Sequence, residues 1–426
     1  MELTTKQGFK QTEVGLIPED WEVVAFDKIF TYYSTSNYSK AQMSEVDEVG
    51  CIHYGLIHAI PNTQYDLNNG IKYYVTSEQA KYEYVRNGDV IMVDASEDLE
   101  GINKSVEVFG IGDKKYISGL HTYLLRDKKG LLADKFRGIV LNSQFVKNQM
   151  LQLAVGMKVF GVSKTQLAKV KILLPPTLKE QKAIATALND VDDLIVSLEG
   201  LIAKKQAVKQ GAMQQLLTPP HKGGKRLPGF SGEWVEKKLG EKADFYKGKG
   251  LPKSDIIEEG KYKCIHYGEL FTNYNHIITS VRSRTNENSD IFLSKENDVL
   301  MPTSDVTPNG LATASALFED DIILGGDVLV IRPNKSLYGA FLSYQISMNK
   351  QQIMSLISGT TVYHLYGSDM SKFNFHIPKI DEQKAIIRIL YDMEVEITQL
   401  ETKKAKYQQL KQGMLQELLT GNTRLV

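Results

Sequence analysis

The stretch Glu180–Thr218 reads EQKAIATALNDVDDLIVSLEGLIAKKQAVKQGAMQQLLT, and it decides the fold because it occurs twice. The second copy, Glu382–Thr420, reads EQKAIIRILYDMEVEITQLETKKAKYQQLKQGMLQELLT. The copies align without a gap at an offset of 202 residues, and 20 of their 39 positions are identical. A repeat of this length predicts a chain that is built from two related halves.

Each copy predicts one long helix, because apolar residues recur at alternating steps of four and three. In the first copy the pattern includes Ile184, Leu188 and Val191, and it is typical of a coiled-coil seam. The seam weakens where Lys205 and Lys404 occupy apolar positions. We expect the two helices to bury their apolar stripes against each other. The alternative, two unrelated helices that each pack on their own domain, would leave the shared register unexplained.

The repeat extends beyond the helices to the whole half-chain. Trp21 and Trp234 are 213 residues apart, and so are the two CIHYG pentapeptides that begin at Cys51 and Cys264. Between such positions the halves diverge into short β-rich runs punctuated by Gly, Asn and Pro, with a few helical runs. This pattern favours one α+β domain in each half, with a common framework and different surface loops.

The predicted boundaries follow from the helices and from prolines, which are tolerated in the first turn of a helix but not in its interior. A stretch rich in Pro, Gly and basic residues after the first helix predicts a linker. We predict an α/β domain in residues 1–178, a helix in 179–218, the linker in 219–232, a second α/β domain in 233–379, a second helix in 380–421 and a tail in 422–426.

Length and composition limit the class of protein. The chain has 426 residues, enough for two or three domains, and 42% of them are hydrophobic, as in ordinary soluble proteins. Only two cysteines occur, and no apolar run has the length of a membrane span, so we expect a cytoplasmic protein without disulfides or membrane contact. The 51 basic and 51 acidic residues give a net charge of zero, so nucleic-acid binding would depend on local patches.

The sequence contains no recognisable catalytic motif. It lacks a P-loop, an Asp/Asn-Pro-Pro-aromatic methyltransferase loop, HExxH, GxSxG and a zinc ribbon. The pairs Cys51-x-His53 and Cys264-x-His266 could together supply a Cys2His2 zinc site. We instead predict that they are equivalent scaffold positions in two separate domains, because the pairs should lie far apart. The sequence therefore predicts no catalytic residue and no metal site.

Local clusters of lysine, hydroxyl and aromatic residues are the candidates for DNA contact. The stretch from Gly156 to Lys171 carries four lysines and no acidic residue, and its counterpart begins at Gly359. Lys247 and Lys249 lie in a Gly-rich loop. Such residues suit phosphate contacts and base-edge readout. The alternative for any single one of them is an ordinary solvated loop.

Three motifs resemble those of the specificity subunits of type I restriction-modification systems. They are TEVGLIPEDW, which ends at Trp21, RLPGFSGEW, which ends at Trp234, and Pro-x-x-x-Glu-Gln-Lys-Ala-Ile, which begins at Pro176. The resemblance covers essentially the whole chain.

The resemblance implies a fold and a division of labour. It implies two target-recognition domains separated by an antiparallel coiled coil of two long conserved helices, with a pseudo-two-fold internal repeat. Each domain would read one half of a bipartite double-stranded DNA target, and the helices would set the spacing. The chain would be non-catalytic and would recruit two methyltransferase subunits and two restriction subunits. S-adenosylmethionine, ATP and Mg would then belong to those partners, and this chain would bind no cofactor.

The same resemblance assigns roles to residues. The lysines are candidates for backbone contacts, and the matching loops are candidates for the recognition surface. The DNA-binding candidates are Lys158, Phe160, Ser163, Lys164, Lys247, Lys249, Thr303, Ser304, Thr360, Thr361, Tyr363 and His364. Exposed faces of the helices are expected to dock the methyltransferase subunits, and we assign this role to Glu180, Gln181, Glu382 and Gln383.

Two rival functions fit the same sequence. The chain could be a self-contained DNA-modifying enzyme with an unrecognised active site, which methyl transfer without a partner would reveal. It could also be a coiled-coil interaction scaffold that never touches DNA, as the zero net charge would allow. The target bases and the spacer length cannot be read from the loops, because recognition depends on loop geometry and on DNA shape.

Overall fold

The structure, a computed structural model, describes residues 8–99, 101–156 and 160–425. The chain divides into two compact units, and each is considered separately below. Unit 1 takes the chain up to residue 199 together with the part from residue 402 onward, and unit 2 comprises residues 200–401. Each of the two long helices therefore contributes one part to each unit.

Unit 1 contains fourteen strands and five short helices among its described residues, and the first long helix begins in it. The strands are β1 (Phe9–Thr12), β2 (Gly15–Pro18), β3 (Glu22–Ala25), β4 (Phe30–Tyr33), β5 (Val49–Ile52), β6 (Gln64–Asp66), β7 (Tyr74–Val75), β8 (Val90–Val93), β9 (Ala95–Ser96), β10 (Ser105–Phe109), β11 (Lys115–Ser118), β12 (Thr122–Asp127), β13 (Phe160–Gly161) and β14 (Lys171–Leu174). The helices are α1 (Phe26–Ile29), α2 (Tyr54–Ala59), α3 (Phe136–Leu141), α4 (Gln144–Leu153), α5 (Lys164–Leu167) and the long α6 (Leu178–Leu216).

Unit 2 contains twelve strands and four short helices among its described residues, and the second long helix begins in it. The strands are β15 (Val235–Lys238), β16 (Ala243–Lys247), β17 (Tyr262–Ile265), β18 (Ile277–Ile278), β19 (Arg284–Thr285), β20 (Asp298–Pro302), β21 (Ser304–Asp305), β22 (Ser315–Leu317), β23 (Ile323–Leu324), β24 (Val328–Pro333), β25 (Tyr363–His364) and β26 (Asn374–Ile377). The helices are α7 (Glu269–Thr272), α8 (Gly339–Met348), α9 (Lys350–Leu356), α10 (Gly367–Met370) and the long α11 (Ile380–Leu418). Short 3-10 turns across both units are Lys40–Gln42, Leu67–Asn69, Pro220–Lys222, Leu239–Glu241, Lys253–Asp255 and Pro308–Ala312.

The two units have the same sheet topology. A five-stranded sheet has the order β4-β12-β8-β10-β6 in unit 1 and β16-β24-β20-β22-β18 in unit 2. A three-stranded sheet has the order β11-β5-β7 in unit 1 and the equivalent order β23-β17-β19 in unit 2. In both five-stranded sheets the last pair is parallel and the others are antiparallel. The predicted α+β fold with an internal repeat is confirmed.

The two long helices are confirmed with bounds close to those predicted. Each is 39 residues long, from Leu178 to Leu216 and from Ile380 to Leu418. At about 1.5 Å per residue, each measures close to 60 Å. None of the described helices is long and apolar enough to cross a membrane.

The apolar stripes of the helices are built into the cores of the units. In unit 1, Ile184 and Leu188 are buried in one cluster with Leu418 from the end of the other helix. In unit 2, Ile386 and Leu390 share a cluster with Met213 in the same way. Within each unit the start of one helix thus packs near the end of the other, which is the arrangement of an antiparallel pair. Full burial of one such side chain stabilises the fold by about 1.5–3 kcal/mol.

The lysines that interrupt the seam have partners on the opposite helix. Lys205 Nζ lies 2.7 Å from Glu396 Oε1 in unit 2. Lys404 Nζ lies 3.6 Å from Glu199 Oε1 in unit 1. These pairs are partly exposed, so they define the register of the helices more than they add stability.

The prediction that Glu180, Gln181, Glu382 and Gln383 form exposed docking faces is wrong. All four are buried, with at most 2% of each residue accessible to solvent. The Gln181 side chain accepts a hydrogen bond from the amide of Ala133 at 2.8 Å and donates to two carbonyl groups. Gln383 makes the equivalent three bonds, beginning with the amide of Tyr338 at 2.8 Å. These side chains join the helices to the domains because buried polar groups need such partners.

The two glutamates are held by arginines that arrive from the far end of the opposite helix. Arg424 follows α11 and forms a bidentate pair with Glu180, with one contact of 2.8 Å. Arg226 follows α6 and forms a bidentate pair with Glu382 at 3.1 and 2.8 Å. The predicted linker therefore contains at least one residue that is fixed to unit 2.

Candidate nucleic-acid interface

A two-stranded ribbon, called ribbon 2, brings together most of the predicted DNA-binding residues of unit 2. It consists of β21 and β25, in which Ser304 pairs with His364 and Asp305 pairs with Tyr363. Thr360 and Thr361 lie in the exposed turn that leads into β25. Hydroxyl, imidazole and phenol groups thus lie side by side at one edge of the unit.

Thr303 and Lys247 lie beside this ribbon and are joined through Asp327. The amide of Thr303 donates to the carbonyl of Asp327 at 2.9 Å, and Lys247 Nζ lies 3.4 Å from Asp327 Oδ1. Thr303 is buried, with 6% of its surface accessible, so it supports the ribbon from below. Lys249 lies elsewhere in the unit, where its ammonium donates to Asp290 at 2.8 Å.

The sequence analysis missed three exposed apolar side chains on ribbon 2. Val306 follows β21 and is 73% exposed, Val362 precedes β25 and is 43% exposed, and Tyr366 is 52% exposed. The Tyr366 ring stacks on His364 at 6.0 Å between ring centroids. Exposed apolar groups are unfavourable in water unless a partner covers them. Little in the sequence indicated these exposed side chains, because a single valine in a turn that contains Pro and Gly is not part of a periodic apolar pattern.

Unit 1 has the equivalent ribbon, called ribbon 1. It consists of β9 and β13, in which Phe160 pairs with Ser96. Lys158, a predicted backbone contact, lies outside the described residues. Ser163 is exposed and caps α5, because its hydroxyl accepts from the amide of Gln166 at 3.3 Å. Its observed contact is therefore structural.

Lys164 lies over two tyrosine rings at the base of ribbon 1. Its ammonium is 5.4 Å from the ring centroid of Tyr32 and 5.7 Å from that of Tyr123. Burial raises the pKa of both phenols, so both rings stay neutral. The faces of these rings attract the cation through their quadrupole. Lys164 is exposed and keeps its charge available to solvent.

The chemistry around ribbon 1 differs from that of ribbon 2. Asp94 follows β8 and lies 3.3 Å from the imidazole of His121. Asp98 lies in the next turn, where its amide donates to the hydroxyl of Ser96 at 3.3 Å. Carboxylates and an exposed valine occur at both ribbons, since β21 contains Asp305 and the 69% exposed Val155 bridges Gly161 of β13. The ribbons differ in the residues that pair, because Ala95 and Ser96 face Gly161 and Phe160, whereas Ser304 and Asp305 face His364 and Tyr363.

The described residues include no group of three or more His, Cys, Asp or Glu that is arranged to hold a metal ion. Cys51 and Cys264 are buried and free. In each Cys-x-His pair the histidine ring accepts a hydrogen bond from its own chain, at 3.1 Å for His53 and 3.2 Å for His266. These nitrogen atoms are therefore already used within the scaffold.

Comparisons with known proteins agree with the internal repeat. The sequence model of the family described as "Type I restriction modification DNA specificity domain" matches residues 18–210 and 231–412. The type I restriction enzyme MjaVIII specificity subunit of Methanocaldococcus jannaschii is 25% identical over 443 residues, which cover 100% of this chain and 98% of that protein.

Solved structures share the fold. The crystal structure of a type I restriction-modification S subunit from M. genitalium aligns with a TM-score of 0.60 and 15% identity, covering 98% of both chains. A chain from a structure of the type I R-M system aligns with a TM-score of 0.54 and 18% identity, covering 96% of this chain and 99% of that one. At these identities the likeness concerns the arrangement of elements and not the identity of bound bases.

Proposed function

This chain belongs to the family of type I restriction modification DNA specificity proteins, and we propose that it selects a bipartite DNA target for partner enzymes. It is the DNA-recognition component of such a system and is not itself a catalyst. Methyl transfer and strand cleavage, with S-adenosylmethionine, ATP and Mg, belong to the partners.

One observation carries this proposal, namely the duplicated fold with unlike ribbons. The two units share the order of strands in their five-stranded sheets. Their ribbons pair in the same place, yet one consists of Ala95, Ser96, Phe160 and Gly161 and the other of Ser304, Asp305, Tyr363 and His364. A scaffold that is repeated and a surface that is not repeated suit a protein that reads two different half-sites.

The ribbon chemistry suggests what each unit reads in the major groove. Apolar side chains such as Val306 and Val362 suit the methyl group of thymine. Carboxylates such as Asp98 accept hydrogen bonds from the amino groups of cytosine or adenine. Because both kinds of side chain occur at each ribbon, Asp305 with Val306 in unit 2 and Asp98 with Val155 in unit 1, we propose that both kinds of contact contribute in both units.

The helix pair is proposed to set the distance between the half-sites. Both helices are 39 residues long and continuous, and each contributes to both units. The spacing of DNA half-sites follows the spacing of the elements that read them.

The methyltransferase subunits are proposed to dock on an exposed patch that occurs once on each long helix. On α6 the patch contains Val208, which is 51% exposed, and Gly211 one turn later. On α11 the equivalent residues are Leu410, which is 50% exposed, and Gly413. Nothing in the described chain lies within 4 Å of the position of a β-carbon on either glycine.

A glycine inside a helix costs about 1 kcal/mol relative to alanine. Internal packing does not require these two glycines, because the space around them is open. A partner helix that approaches closely over the exposed apolar side chain would account for both features. Since the patch occurs twice, we propose that two methyltransferase subunits bind one chain.

The docking proposal predicts a change in stoichiometry. Val208→Glu or Leu410→Glu should leave one methyltransferase subunit per chain, and the double variant should bind none, because a charge would be buried without a partner. Native mass spectrometry of the reconstituted complex measures this directly. Val196→Glu is the matched control, since Val196 is also 51% exposed on α6 but its equivalent on α11 is Thr398. Two bound subunits on the double variant would refute the assigned patch.

The overall function is tested by footprinting. The chain, assembled with the methyltransferase encoded beside it, should protect two short DNA segments separated by an unprotected spacer. Methylation should require that partner. Methyl transfer by the isolated chain would favour a self-contained enzyme, and the absence of any protected sequence would favour a scaffold that does not touch DNA.

A further inference from the structure

One cluster of residues is repeated in the sequences of the two units, whereas the ribbons are not. The CIHYG pentapeptide occurs at Cys51 and at Cys264, 213 residues apart. Two exposed lysines, Lys40 and Lys253, are also 213 residues apart and begin equivalent 3-10 turns. The repetition therefore includes polar surface residues as well as the buried framework.

The histidines of the pentapeptides have their hydrogen-bonding state fixed by the fold. Nδ1 of His53 accepts from the amide of Gly55 at 3.1 Å, and Nδ1 of His266 accepts from the amide of Gly268 at 3.2 Å. An accepting Nδ1 places the proton of a neutral ring on Nε2. Burial lowers the pKa of His53 to about 4 and lowers that of His266, so both rings are neutral near pH 7. His53 is only 2% exposed and His266 is half-buried, so the exposed charged group of each site is its lysine.

A tyrosine and a lysine complete each site. Tyr54 lies against His53 with ring centroids 4.2 Å apart and a tilt of 42°, and Tyr267 lies against His266 at 4.5 Å and 46°. The Lys40 ammonium is 3.8 Å from the position that a β-carbon on Gly55 would occupy.

The lysine charges act on the histidines and are not neutralised locally. After burial, the positive charge of Lys40 also lowers the pKa of His53. At His266 burial lowers the pKa, Glu269 and Asp327 oppose this, and Lys253 adds a smaller lowering. Within the described part of the chain, neither lysine has a carboxylate at ion-pair distance.

Acidic groups near the sites already have hydrogen-bond or ion-pair partners. In unit 2, Glu269 is buried and accepts from the amide of His266 at 2.9 Å and from the hydroxyl of Ser283 at 2.8 Å. Asp327 is paired with Lys247. In unit 1, Asp94 lies beside His121. The groups of both sites that a ligand could still contact are therefore hydrogen-bond donors and positive charge.

We propose that Lys40 with His53 and Tyr54, and Lys253 with His266 and Tyr267, are a pair of phosphate anchors for the DNA backbone. Phosphate contacts fix the register of a protein on the duplex but carry no sequence information. A backbone contact should therefore be the same in two units whose ribbons read different bases. The inference rests on the proposed function and assigns the part of each unit that holds DNA without reading it.

The test is the salt dependence of DNA binding by the complex of the full chain with its methyltransferase. The log of the association constant falls with log salt at a slope of about −0.9 per phosphate contacted. Lys40→Gln and Lys253→Gln should each make the slope shallower by about 0.9, and the double variant by about 1.8. Affinity for the target and for unrelated DNA should fall by the same factor, so that their ratio is unchanged.

Two further variants and a control make the test specific. Tyr54→Phe and Tyr267→Phe, which remove only the hydroxyl groups, should weaken both kinds of DNA equally. A DNA with one neutral methylphosphonate at the contacted phosphate should bind the wild-type complex as weakly as Lys40→Gln, and should not weaken that variant further. Lys237→Gln removes an equal charge, but Lys237 is already paired with Glu241 at 2.9 Å, so the slope should not change.

Unchanged slopes in the lysine variants would overturn the anchor assignment, as would a loss confined to the target sequence or an equal loss in Lys237→Gln. Failure of the proposed function gives a different result, namely a wild-type complex that binds DNA without any sequence preference. The slope comparison can still be made on such a complex. A wild-type complex that binds no DNA would overturn both proposals.

Discussion

Unit 1 and unit 2 keep the same buried ion pair but fill the space beside it differently. In both units an arginine on the central strands holds an aspartate, Arg126 with Asp89 at 2.7 Å and Arg332 with Asp298 at 2.8 Å. Directed hydrogen bonds of this kind tolerate little change in geometry, because a buried carboxylate without its partner is costly.

The neighbouring contact between sheet and helix differs between the two units. In unit 1 the buried carboxylate of Glu107 accepts from the amide of Gly138 at 3.0 Å. In unit 2 the residue at the place of Glu107 is Ala316, which is fully buried and pairs with Val299 as Glu107 pairs with Val90. A buried carboxylate in one sheet is thus replaced by a methyl group in the other. The arginine–aspartate pair has been kept in both units, whereas this neighbouring buried hydrogen-bonding residue has not.

The largest expected effect comes from breaking the shared ion pair. Arg126→Met or Arg332→Met should each destabilise its own unit by about 3–5 kcal/mol, because Asp89 or Asp298 would remain buried and unpaired. Scanning calorimetry should show one of two transitions shifting in each variant. Lys128→Met, a surface change in the turn just after the strand that carries Arg126, is the control. A loss below about 1 kcal/mol in both arginine variants would contradict the shared role.

The second effect belongs to unit 2 alone and depends on pH. Glu394 Oε2 accepts from Tyr344 at 2.6 Å and from Lys209 at 2.7 Å, and it lies 3.4 Å from His276. Burial disfavours the ionised carboxylate, but these contacts outweigh burial and lower the pKa of Glu394 to about 2. The equivalent carboxylate of unit 1, Asp192, has Lys411 as its ion-pair partner.

A lowered carboxylate pKa stabilises the fold above the unfolded value near 4.5, and this contribution is lost as pH falls toward 2. The difference corresponds to about 3 kcal/mol at neutral pH. Glu394→Gln should therefore lose roughly that amount at pH 7, and its unit 2 transition should lose less stability than that of the wild type between pH 5 and 2. Denaturant titrations across this range measure both effects. Asp192→Asn provides the comparison in unit 1, and a pH profile of Glu394→Gln that matches the wild type would sink the prediction.

The smallest effect concerns a position where unit 1 carries a polar residue that its fold does not use. Asn103 is 4% exposed, and its amide has no partner among the described residues. It has a φ of 55° and lines a cavity of about 460 Å³. Ala312 holds the corresponding place in unit 2, because it precedes the paired residue Ser315 by three as Asn103 precedes Val106.

Asn103→Gly should change stability by less than about 1 kcal/mol, because loss of an unsatisfied amide and relief at a positive φ offset the flexibility of glycine. Asn142→Ala is the control in the same cavity. The Asn142 amide donates to the carbonyl of Ser105 at 2.7 Å, so its loss should cost about 1–3 kcal/mol. Equal losses in the two variants, measured by chemical denaturation, would show that the Asn103 amide is used after all.

Much of the fold followed from the sequence because the repeat is long and periodic. The helices were predicted in 179–218 and 380–421 and begin and end within three residues of those limits. The duplicated α+β organisation followed from the repeated tryptophan and the repeated CIHYG pentapeptide. The domain boundaries remain a prediction, since the contacts divide each helix between the two units.

The partner-binding assignment failed for a physical reason. A glutamate at the start of a helix looks exposed in a sequence, because the arginine that covers Glu180 lies 244 residues later. A signal was nevertheless present, since Arg-Leu follows each helix at Arg226 and at Arg424. The identical Glu-Gln and the repeated Arg-Leu together could have predicted a buried pair.

The candidate interface was predicted only where its residues are neighbours along the chain. Tyr363 and His364 were found with the threonines before them, and Thr303 with Ser304. The ribbon that joins these two stretches depends on a strand pairing across about sixty residues, which neither stretch encodes alone. The DNA-contact roles of these residues remain predictions.

The division of the helices between the units also orders the synthesis of the protein. Unit 2 is continuous in residues 200–401, whereas unit 1 needs residues from 402 onward. On the ribosome, the first domain therefore emerges early but cannot cover Ile184 and Leu188 until Leu418 has been added. The later unit can close first, and a chain interrupted in the second long helix leaves the earlier unit open to proteolysis.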